Sequence, residues 1–226
     1  WDAALRRVVG VSSDSLSKEW LASIRATYLP LMQGRTNPWE LGHSLLGTGK
    51  EPGDMNVEPA ISPDGKFVAF FARRGLFTVD LFVADANTGK IVRKLTGPNA
   101  DPHFDALSFV NASGSWSPDG KQLAFIAFEQ GDNRVTLFSV KSHSVERSIK
   151  INGVGAINDA AWSPDGKSIA ISGTHGGISD LYLIDVKSGK ARQLTNDRYA
   201  ELHPAWSPDG KTLAFATDRG PGTSFE

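Results

Sequence analysis

A six-residue phrase that recurs four times constrains the fold of this chain more than any other feature. WSPDGK occupies residues 116–121, 162–167 and 206–211, and the near copy ISPDGK occupies residues 61–66. Repetition at a period of roughly 40–50 residues is typical of architectures in which one small unit is stacked on copies of itself. Such a unit exposes an apolar face that only a neighbour can cover, so we expect the copies to pack in series.

The segments around each phrase repeat as well. Each phrase follows a short strand and leads into two apolar runs of strand length, then a small polar turn, then a final short strand. The first apolar run occupies residues 67–72, 122–128, 168–173 and 212–217, and the second occupies residues 79–85, 135–140 and 179–185. The final strand occupies residues 91–95, 145–150 and 191–194. This pattern predicts a unit of four antiparallel strands.

The phrase itself has the composition of a tight turn. Proline presets the backbone of the first central position, aspartate suits the next and bonds nearby N–H groups, and glycine accepts the left-handed conformation that follows. The alternative is that the aspartates are four copies of a binding site. A turn is favoured, because an architecture needs equal spacing and a site rarely does. The predicted turn residues are Pro63, Asp64, Gly65, Pro118, Asp119, Gly120, Pro164, Asp165, Gly166, Pro208, Asp209 and Gly210.

Four-stranded antiparallel units in tandem predict an all-β propeller. Residues 37–226 would hold three full blades and part of a fourth, so the propeller would be incomplete at its C-terminus. A polar insertion at residues 98–114 separates the last strand of the first blade from the second phrase. It contains the residues that we favour as an interaction loop, which are Asp101, His103, Phe104 and Asp105.

The first 36 residues predict a helical lead-in that is the end of an upstream domain. One helix spans about residues 1–9 and ends at Gly10, which suits the left-handed position after a helix. A second helix begins after residues 12–14, which offer capping oxygens, and ends before Pro30. Residues 41–46 then align with the last strand of a blade. We therefore predict a strand there that completes the final blade and closes a ring.

Two stretches resemble the repeats of TolB-type β-propellers, PAWSPDGKTLAFATDRG at residues 204–220 and SDLYLIDVKSGKARQLT at residues 179–195. Similar repeats occur in tricorn-like and prolyl-oligopeptidase-like propellers. The helical start resembles the tail of a peptidase-MA-like metallopeptidase domain, which precedes such propellers in bacterial envelope proteins. TolB-type rings often have six blades. If this one does, about two blades lie beyond the chain, which would then be a piece of a longer polypeptide; the alternatives are a ring closed by a partner or an open arc.

Composition argues against several classes of function. The net charge is −1 and no long run has a single sign, which argues against a nucleic-acid partner and against a polybasic membrane surface. The longest apolar run, residues 67–72, is too short to cross a bilayer. The chain has no cysteine, which excludes disulfides and thiolate metal sites.

The sequence offers no catalytic, cofactor-binding or metal-binding motif. GTGKE at residues 47–51 departs from the phosphate-binding loop at its first glycine and at its hydroxyl position. Neither the Gly-x-Ser-x-Gly nucleophile motif nor the His-Glu-x-x-His zinc motif occurs. His175 is expected to be exposed in a turn. Asp80 and Asp180 share one strand position in two blades, and we interpret them as bonding nearby backbone groups.

These features favour a non-catalytic propeller that binds proteins as a scaffold and needs no cofactor. The resemblance implies a periplasmic or otherwise extracytoplasmic subunit, held at the membrane by its partners within a larger assembly. One alternative is the propeller half of a bacterial envelope metallopeptidase whose zinc domain lies outside this chain. Another is a small-molecule or sugar-binding propeller. That alternative needs aromatic residues exposed together at the ring mouth, whereas the tryptophans before the turns are expected to pack between blades.

Overall fold

The computed structural model describes residues 2–36, 38–46, 55–73, 79–95, 106–107 and 114–220. Contacts divide the chain into two compact units, Trp1–Ser44 and Leu45–Glu226. The first unit is helical and the second is built from β-strands. The domain bounds that the sequence suggests, 1–36 and 37–226, stay a prediction.

The first unit contains three helices, α1 (Asp2–Val9), α2 (Ser13–Met32) and α3 (Pro38–Leu41). Gly10 ends α1 at φ +81°, and its N–H donates to the carbonyl of Arg6 at 3.0 Å. Ser12 caps α2, since its Oγ accepts a hydrogen bond from the N–H of Ser15 at 3.1 Å. The predicted starts and the first helix end are therefore confirmed.

The predicted end of α2 is wrong, because the helix continues through Pro30 to Met32. The N–H of Gln33 donates to the carbonyl of Pro30 at 3.3 Å, so the last turn closes around the proline. The large apolar side chains of α2 are exposed, Trp20 by 64% and Tyr28 by 57%. Within the described residues, no helix combines the length and apolar character needed to cross a membrane.

The second unit contains four successive antiparallel sheets, and the predicted four-stranded blades are confirmed. Blade 1 consists of β1 (Met55–Ile61), β2 (Phe67–Arg73), β3 (Val79–Asp85) and β4 (Ile91–Lys94). Blade 2 consists of β5 (Ala106–Leu107), β6 (Ser115–Trp116), β7 (Gln122–Glu129), β8 (Asp132–Ser139) and β9 (Ser144–Lys150). Blade 3 consists of β10 (Ala156–Trp162), β11 (Ser168–His175), β12 (Ile178–Asp185) and β13 (Ala191–Gln193). Blade 4 is described by β14 (Glu201–Trp206) and β15 (Leu213–Thr217).

The first strand of blade 2 is split in two by the insertion. Both β5 and β6 pair with β7, β5 through Ala106 opposite Phe128 and β6 through Trp116 opposite Leu123. The same positions in blade 3 form the continuous strand β10. Part of the insertion is therefore the start of the first strand, although the sequence pattern placed that strand entirely beside the phrase.

The core lies between successive blades. Small and branched side chains of β2 and β3 pack on the aromatic face of blade 2, and the opposite face of blade 2 packs on blade 3. First strands of neighbouring blades contact each other, β1 with β6, β6 with β10 and β10 with β14. The first strands therefore converge on one edge, which we call the inner edge. The sheets do not close into a ring within the described residues.

The predicted closing strand at residues 41–46 is wrong. Leu41 ends α3, and residues 42–46 have no strand conformation. Leu45 and Leu46 nevertheless pack against the buried face of blade 1 that looks away from blade 2, which includes Phe70 and Phe82. A strand needs a neighbouring strand to bond to, and this segment packs on the face of blade 1 without pairing with a strand among the described residues.

Candidate functional site

The SPDGK turns share one hydrogen-bonding scheme, which blade 1 illustrates. The Ser62 hydroxyl donates to Asp64 Oδ1 at 2.7 Å and accepts from the Phe67 N–H at 2.9 Å. The Lys66 N–H also donates to Asp64 Oδ1, at 3.1 Å. Gly65 has φ +71°, and its N–H donates to the Ser62 carbonyl at 2.8 Å. The aspartate is thus occupied by its own turn.

The same bonds lower the pKa of the turn carboxyls. In blade 1 the pKa of Asp64 lies below its ordinary value, first because Ser62 donates to it and second because the Lys66 N–H does. Asp119, Asp165 and Asp209 have lowered pKa values for the same reason. Hydrogen bonds to the charged form favour ionisation, so these turns carry carboxylates at neutral pH.

The tryptophans before the turns fill the gaps between blades. Trp116 is 8% exposed and Trp162 is 7% exposed. Trp116 Nε1 donates to the carbonyl of Ala60 in the preceding blade at 3.0 Å, and Trp206 Nε1 donates to that of Ala161 at 3.0 Å. Buried indoles need such a partner. These residues therefore do not form the exposed aromatic cluster that a sugar-binding propeller requires.

The other residues to which the sequence points lie in different parts of the chain. The interaction loop of Asp101, His103, Phe104 and Asp105 lies outside the described residues. His175 is exposed at the end of β11, as expected. The described parts of the chain contain no cluster of three or more side chains suited to hold a metal ion.

The two strand aspartates bond side chains of their own blades, while the backbone role expected for them stays a prediction. Asp80 Oδ2 lies 2.8 Å from Lys94 Nζ. Asp180 Oδ2 accepts from Gln193 Nε2 at 3.1 Å. In both blades the partner stands on the adjacent fourth strand. These carboxylates therefore tie the third strand to the fourth.

A different set of residues forms the candidate site. Glu58, Asp159 and His203 each stand five residues before the proline of a turn, in β1, β10 and β14. The register of each first strand against its second strand shifts at this point, so the residue is the extra one of a β-bulge. All three have left-handed backbones, with φ of 53°, 47° and 52°. We call them the inner-edge cluster.

A bulge turns a side chain away from the regular alternation of its strand. Non-glycine residues rarely adopt φ near +50°, and aspartate and histidine are among those enriched there. The three blades thus present ionisable side chains at one repeated, strained position. In blade 2 the insertion interrupts the first strand at this same place, between Leu107 and Ser115.

Two members of the cluster touch. His203 Nδ1 lies 2.7 Å from Asp159 Oδ2, and the side chains are 59% and 12% exposed respectively. The pKa of Asp159 is raised, chiefly because burial penalises the charged form. His203 opposes this rise, and the negative charge of Glu58 adds to it. The carboxyl is therefore held where its charge is costly.

An ion pair between a buried glutamate and a half-exposed arginine flanks the cluster at the start of blade 4. Glu201 is fully buried, and its Oε1 lies 3.0 Å from Arg219 Nη2. Arg219 also pairs with Asp197 and lies 5.3 Å from the ring centroid of Tyr199. The Ser172 hydroxyl of blade 3 donates to the Glu201 carbonyl at 2.7 Å. These contacts fix β14 against blade 3, and with it the position of His203.

The sequence carries one signal for the inner-edge cluster, which lies before the turns rather than in them. Three of the four phrases have an ionisable residue five positions before the proline. No periodicity argument assigns that residue to a bulge, because its strand is too short to show one. Asp159 is therefore a candidate functional residue, whereas the turn aspartates have a structural role.

Comparison with known proteins agrees with the resemblance seen in the repeats. A family model described as TolB beta propeller domain matches residues 109–224. No curated protein matches the chain significantly.

Three solved structures show the same fold. TolB from Acinetobacter baumannii is 25% identical with a TM-score of 0.62, covering 76% of this chain and 40% of that one. The putative TolB from Agrobacterium tumefaciens is 19% identical with a TM-score of 0.59, covering 71% and 53%. Hydrazine synthase from Kuenenia stuttgartiensis is 23% identical with a TM-score of 0.54, covering 70% and 48%. The chain thus spans about half the length of these proteins or less.

Proposed function

Because the chain belongs to the TolB beta propeller domain family, we propose that it is a non-catalytic propeller that binds a partner protein at its inner edge. Propellers of this kind present loops and strand edges to other proteins, and a fold alone does not give a chemistry. We further propose that it acts as a scaffold in the periplasm or another extracytoplasmic space. Its partners would attach it to a larger assembly at the membrane.

The inner-edge cluster is the observation that carries this proposal. Strained backbone positions and buried charges each cost stability, and such costs concentrate at functional sites. Glu58, Asp159 and His203 share the strained backbone at one edge, and Asp159 adds a buried carboxyl whose pKa is raised. None of them is needed to form the turn that follows, since Ser, Pro, Asp and Gly supply that geometry. A partner that donates hydrogen bonds to these carboxylates would offset the cost.

Site-specific photocrosslinking in the source cells tests the proposal. A benzophenone side chain at position 203 replaces one exposed aromatic ring by another at the inner edge. The same group at Lys187, which is exposed on the turn between β12 and β13, is the matched control. We expect discrete protein adducts from position 203 and none of the same mass from position 187. Equal adducts from both positions, or none from position 203, would refute binding at the inner edge.

A further inference from the structure

The loop that joins blade 2 to blade 3 contains a dipeptide with a chemistry of its own, Asn152–Gly153. It lies between β9 and β10, and both residues are exposed. Asparagine is thermolabile, because its side-chain amide is open to attack by the main-chain nitrogen of the next residue. A glycine in that next position has no Cβ to hinder the attack. Asn152 is the one asparagine in the sequence that precedes a glycine.

The main-chain nitrogen of Gly153 is available for this attack. Residues 151–154 form a tight turn, in which the N–H of Val154 donates to the carbonyl of Ile151 at 3.3 Å. Gly153 has φ +83°, the left-handed conformation required at the third position of a type II turn. Within the described residues its own N–H donates to no acceptor. The attacking atom therefore has no hydrogen bond that must break first.

The four SPDGK turns hold the related dipeptide Asp–Gly in a protected form. In each turn the glycine N–H donates to the carbonyl of the serine, at 2.8 Å in blade 1 and 2.9 Å in the others. The carboxylate accepts hydrogen bonds within the turn, as Asp64 does from Ser62 and Lys66. Its lowered pKa keeps it ionised, and a carboxylate is a poorer electrophile than an amide. These turns thus disable both reacting groups, which the loop at Asn152 leaves available.

One side chain restrains the loop. His175, at the end of β11, hydrogen-bonds through Nδ1 to the carbonyl of Gly153. Because a carbonyl oxygen only accepts, this bond requires the proton on Nδ1. Attack requires the Asn152 side chain to swing toward the Gly153 nitrogen, and a turn held in one conformation opposes that movement. The rate of reaction therefore depends on how often the turn opens, which the bond to His175 limits.

We propose that Asn152 is a deamidation site in the folded protein. The Gly153 nitrogen forms a bond to Cγ of Asn152, which closes a succinimide ring. The side-chain nitrogen leaves as ammonia and takes up the proton that the Gly153 N–H loses. Water then opens the ring. Attack by water at Cγ yields aspartate, and attack at the main-chain carbonyl carbon yields isoaspartate. The reaction consumes only water and needs no oxidant or cofactor.

The products alter the loop in two ways. Either product places a new carboxylate, and so a negative charge, at an exposed position between two blades. Isoaspartate also routes the main chain through the side-chain carbon, which lengthens the main chain by one carbon atom directly before β10. This change moves the Gly153 carbonyl away from His175. The inference goes beyond the proposed binding role and does not depend on it.

Peptide mapping by mass spectrometry tests the proposal on the full chain, incubated at mildly alkaline pH. Exchange of the amide NH₂ for OH at residue 152 reports deamidation, and labelling by a protein isoaspartate methyltransferase reports isoaspartate. The free peptide Ile-Asn-Gly-Val-Gly, with the sequence of residues 151–155 and blocked ends, gives the unrestrained rate. We expect a rate in the folded chain within about tenfold of the peptide rate, because exposed loops open at little cost. A slower rate than that would overturn the proposal.

Two variants separate the reaction from its restraint. Asn152→Gln should slow deamidation at this position at least tenfold, since glutamine would have to close a larger ring. His175→Ala should raise the rate severalfold by releasing the Gly153 carbonyl. Lys141→Ala, in the exposed turn between β8 and β9, is the matched control and should leave the rate unchanged. Equal rates in His175→Ala and the wild type would contradict the restraint assigned to His175.

The Asp–Gly turns provide an internal control in the same digest. In the folded chain, isoaspartate should form at residue 152 before it is detected at any of the four turn aspartates. In guanidinium, where the turns are lost, isoaspartate should form at the turns as well. Isoaspartate that forms at the turns of the folded chain as fast as at residue 152 would show that the fold does not select the site.

Discussion

The interface between blades 1 and 2 and the interface between blades 2 and 3 use the same ladder positions but differ at their outer ends. A glycine at position 189 leaves room for Arg147 to bind three carbonyls, whereas among the described residues Arg93 donates to that of Val140 alone, and His143 stands where blade 3 has Gly189. The inner parts of both interfaces are equally buried, since Trp116 and Trp162 are each less than a tenth exposed. The comparison teaches that the repeat fixes the interior of each interface and leaves its rim free to diverge.

The largest expected effect comes from the part that the two interfaces share. Trp116→Ala and Trp162→Ala should each lower the free energy of unfolding by about 3–5 kcal/mol, because each leaves a cavity between blades. Trp116→Ala should cost about 1 kcal/mol more, since it also unpairs the Ala60 carbonyl. Trp162 Nε1 has no hydrogen-bond partner among the described residues. Urea unfolding measures both, and Trp20→Ala on exposed α2 is the control. Losses below 1.5 kcal/mol would show that these residues do not hold the blades together.

The residue at the left-handed turn position is Gly189 in blade 3 and His143 in blade 2. Exchanging these two residue types should change the stability of the protein in opposite directions. Gly189→His places a Cβ against Arg147 and strains the backbone, and should destabilise the protein by about 2 kcal/mol. His143→Gly relieves a left-handed non-glycine residue and should stabilise by up to about 1 kcal/mol. Thermal unfolding of the two variants and the wild type decides the order. The same sign for both substitutions would contradict the role given to this position.

Substituting Arg93 or Arg147 by alanine should lower the free energy of unfolding in proportion to the hydrogen bonds that each arginine makes. Arg147→Ala removes three hydrogen bonds to carbonyls and should cost about 1.5 kcal/mol, whereas Arg93→Ala removes one among the described residues and should cost about 0.5 kcal/mol. Chemical denaturation measures the two losses, and Arg192→Ala, at the same ladder position in exposed β13, serves as the control. Equal losses at positions 93 and 147 would mean that the two interfaces are closed alike.

The smallest effect should appear at the inner-edge cluster and depends on pH. The pKa of Asp159 is raised by burial, so its contribution to stability is present below the unfolded pKa and is lost as pH rises through the folded value. Asp159→Asn, which tolerates the left-handed backbone, should therefore raise the melting temperature at pH 7. This gain should vanish below about pH 4, near the ordinary aspartate pKa.

Asp165→Asn is the matched control, for which we expect the opposite dependence of stability on pH. The pKa of Asp165 is lowered, first by the Ser163 hydroxyl, so its contribution is present above the unfolded pKa and is lost as pH falls through the folded value. This variant should melt lower than wild type at pH 7 and approach it at acid pH. If Asp159→Asn also melted lower at pH 7, the ion pair with His203 would outweigh the desolvation of Asp159.

The blades and their turns could be predicted from the sequence because both are local. SPDGK turns form within five residues, and their strands are marked by apolar runs that face a neighbour on each side. The start of the first strand in blade 2 was missed, because Ala106 pairs with Phe128 and nothing near it in sequence shows that pairing. Residues 41–46 were assigned to a strand by alignment alone, and a strand depends on a partner that no local pattern supplies.

The candidate sites were harder to find, because each depends on a departure from the repeat. The residues of the inner-edge cluster are spaced regularly before the prolines, but the spacing gives no sign of a bulge. The rims of the two interfaces differ at Phe67, Val92 and His143, whose counterparts in the next blade are Gln122, Glu146 and Gly189. Strand register supplies that correspondence, and register comes from the structure.

Chemical denaturation of a double-mutant pair tests the central claim most directly. If the residue at position 189 decides how Arg147 binds the neighbouring turn, Arg147→Ala will cost about 0.5 kcal/mol in the Gly189→His background, instead of about 1.5 kcal/mol in the wild type. An equal cost in both backgrounds would contradict the account.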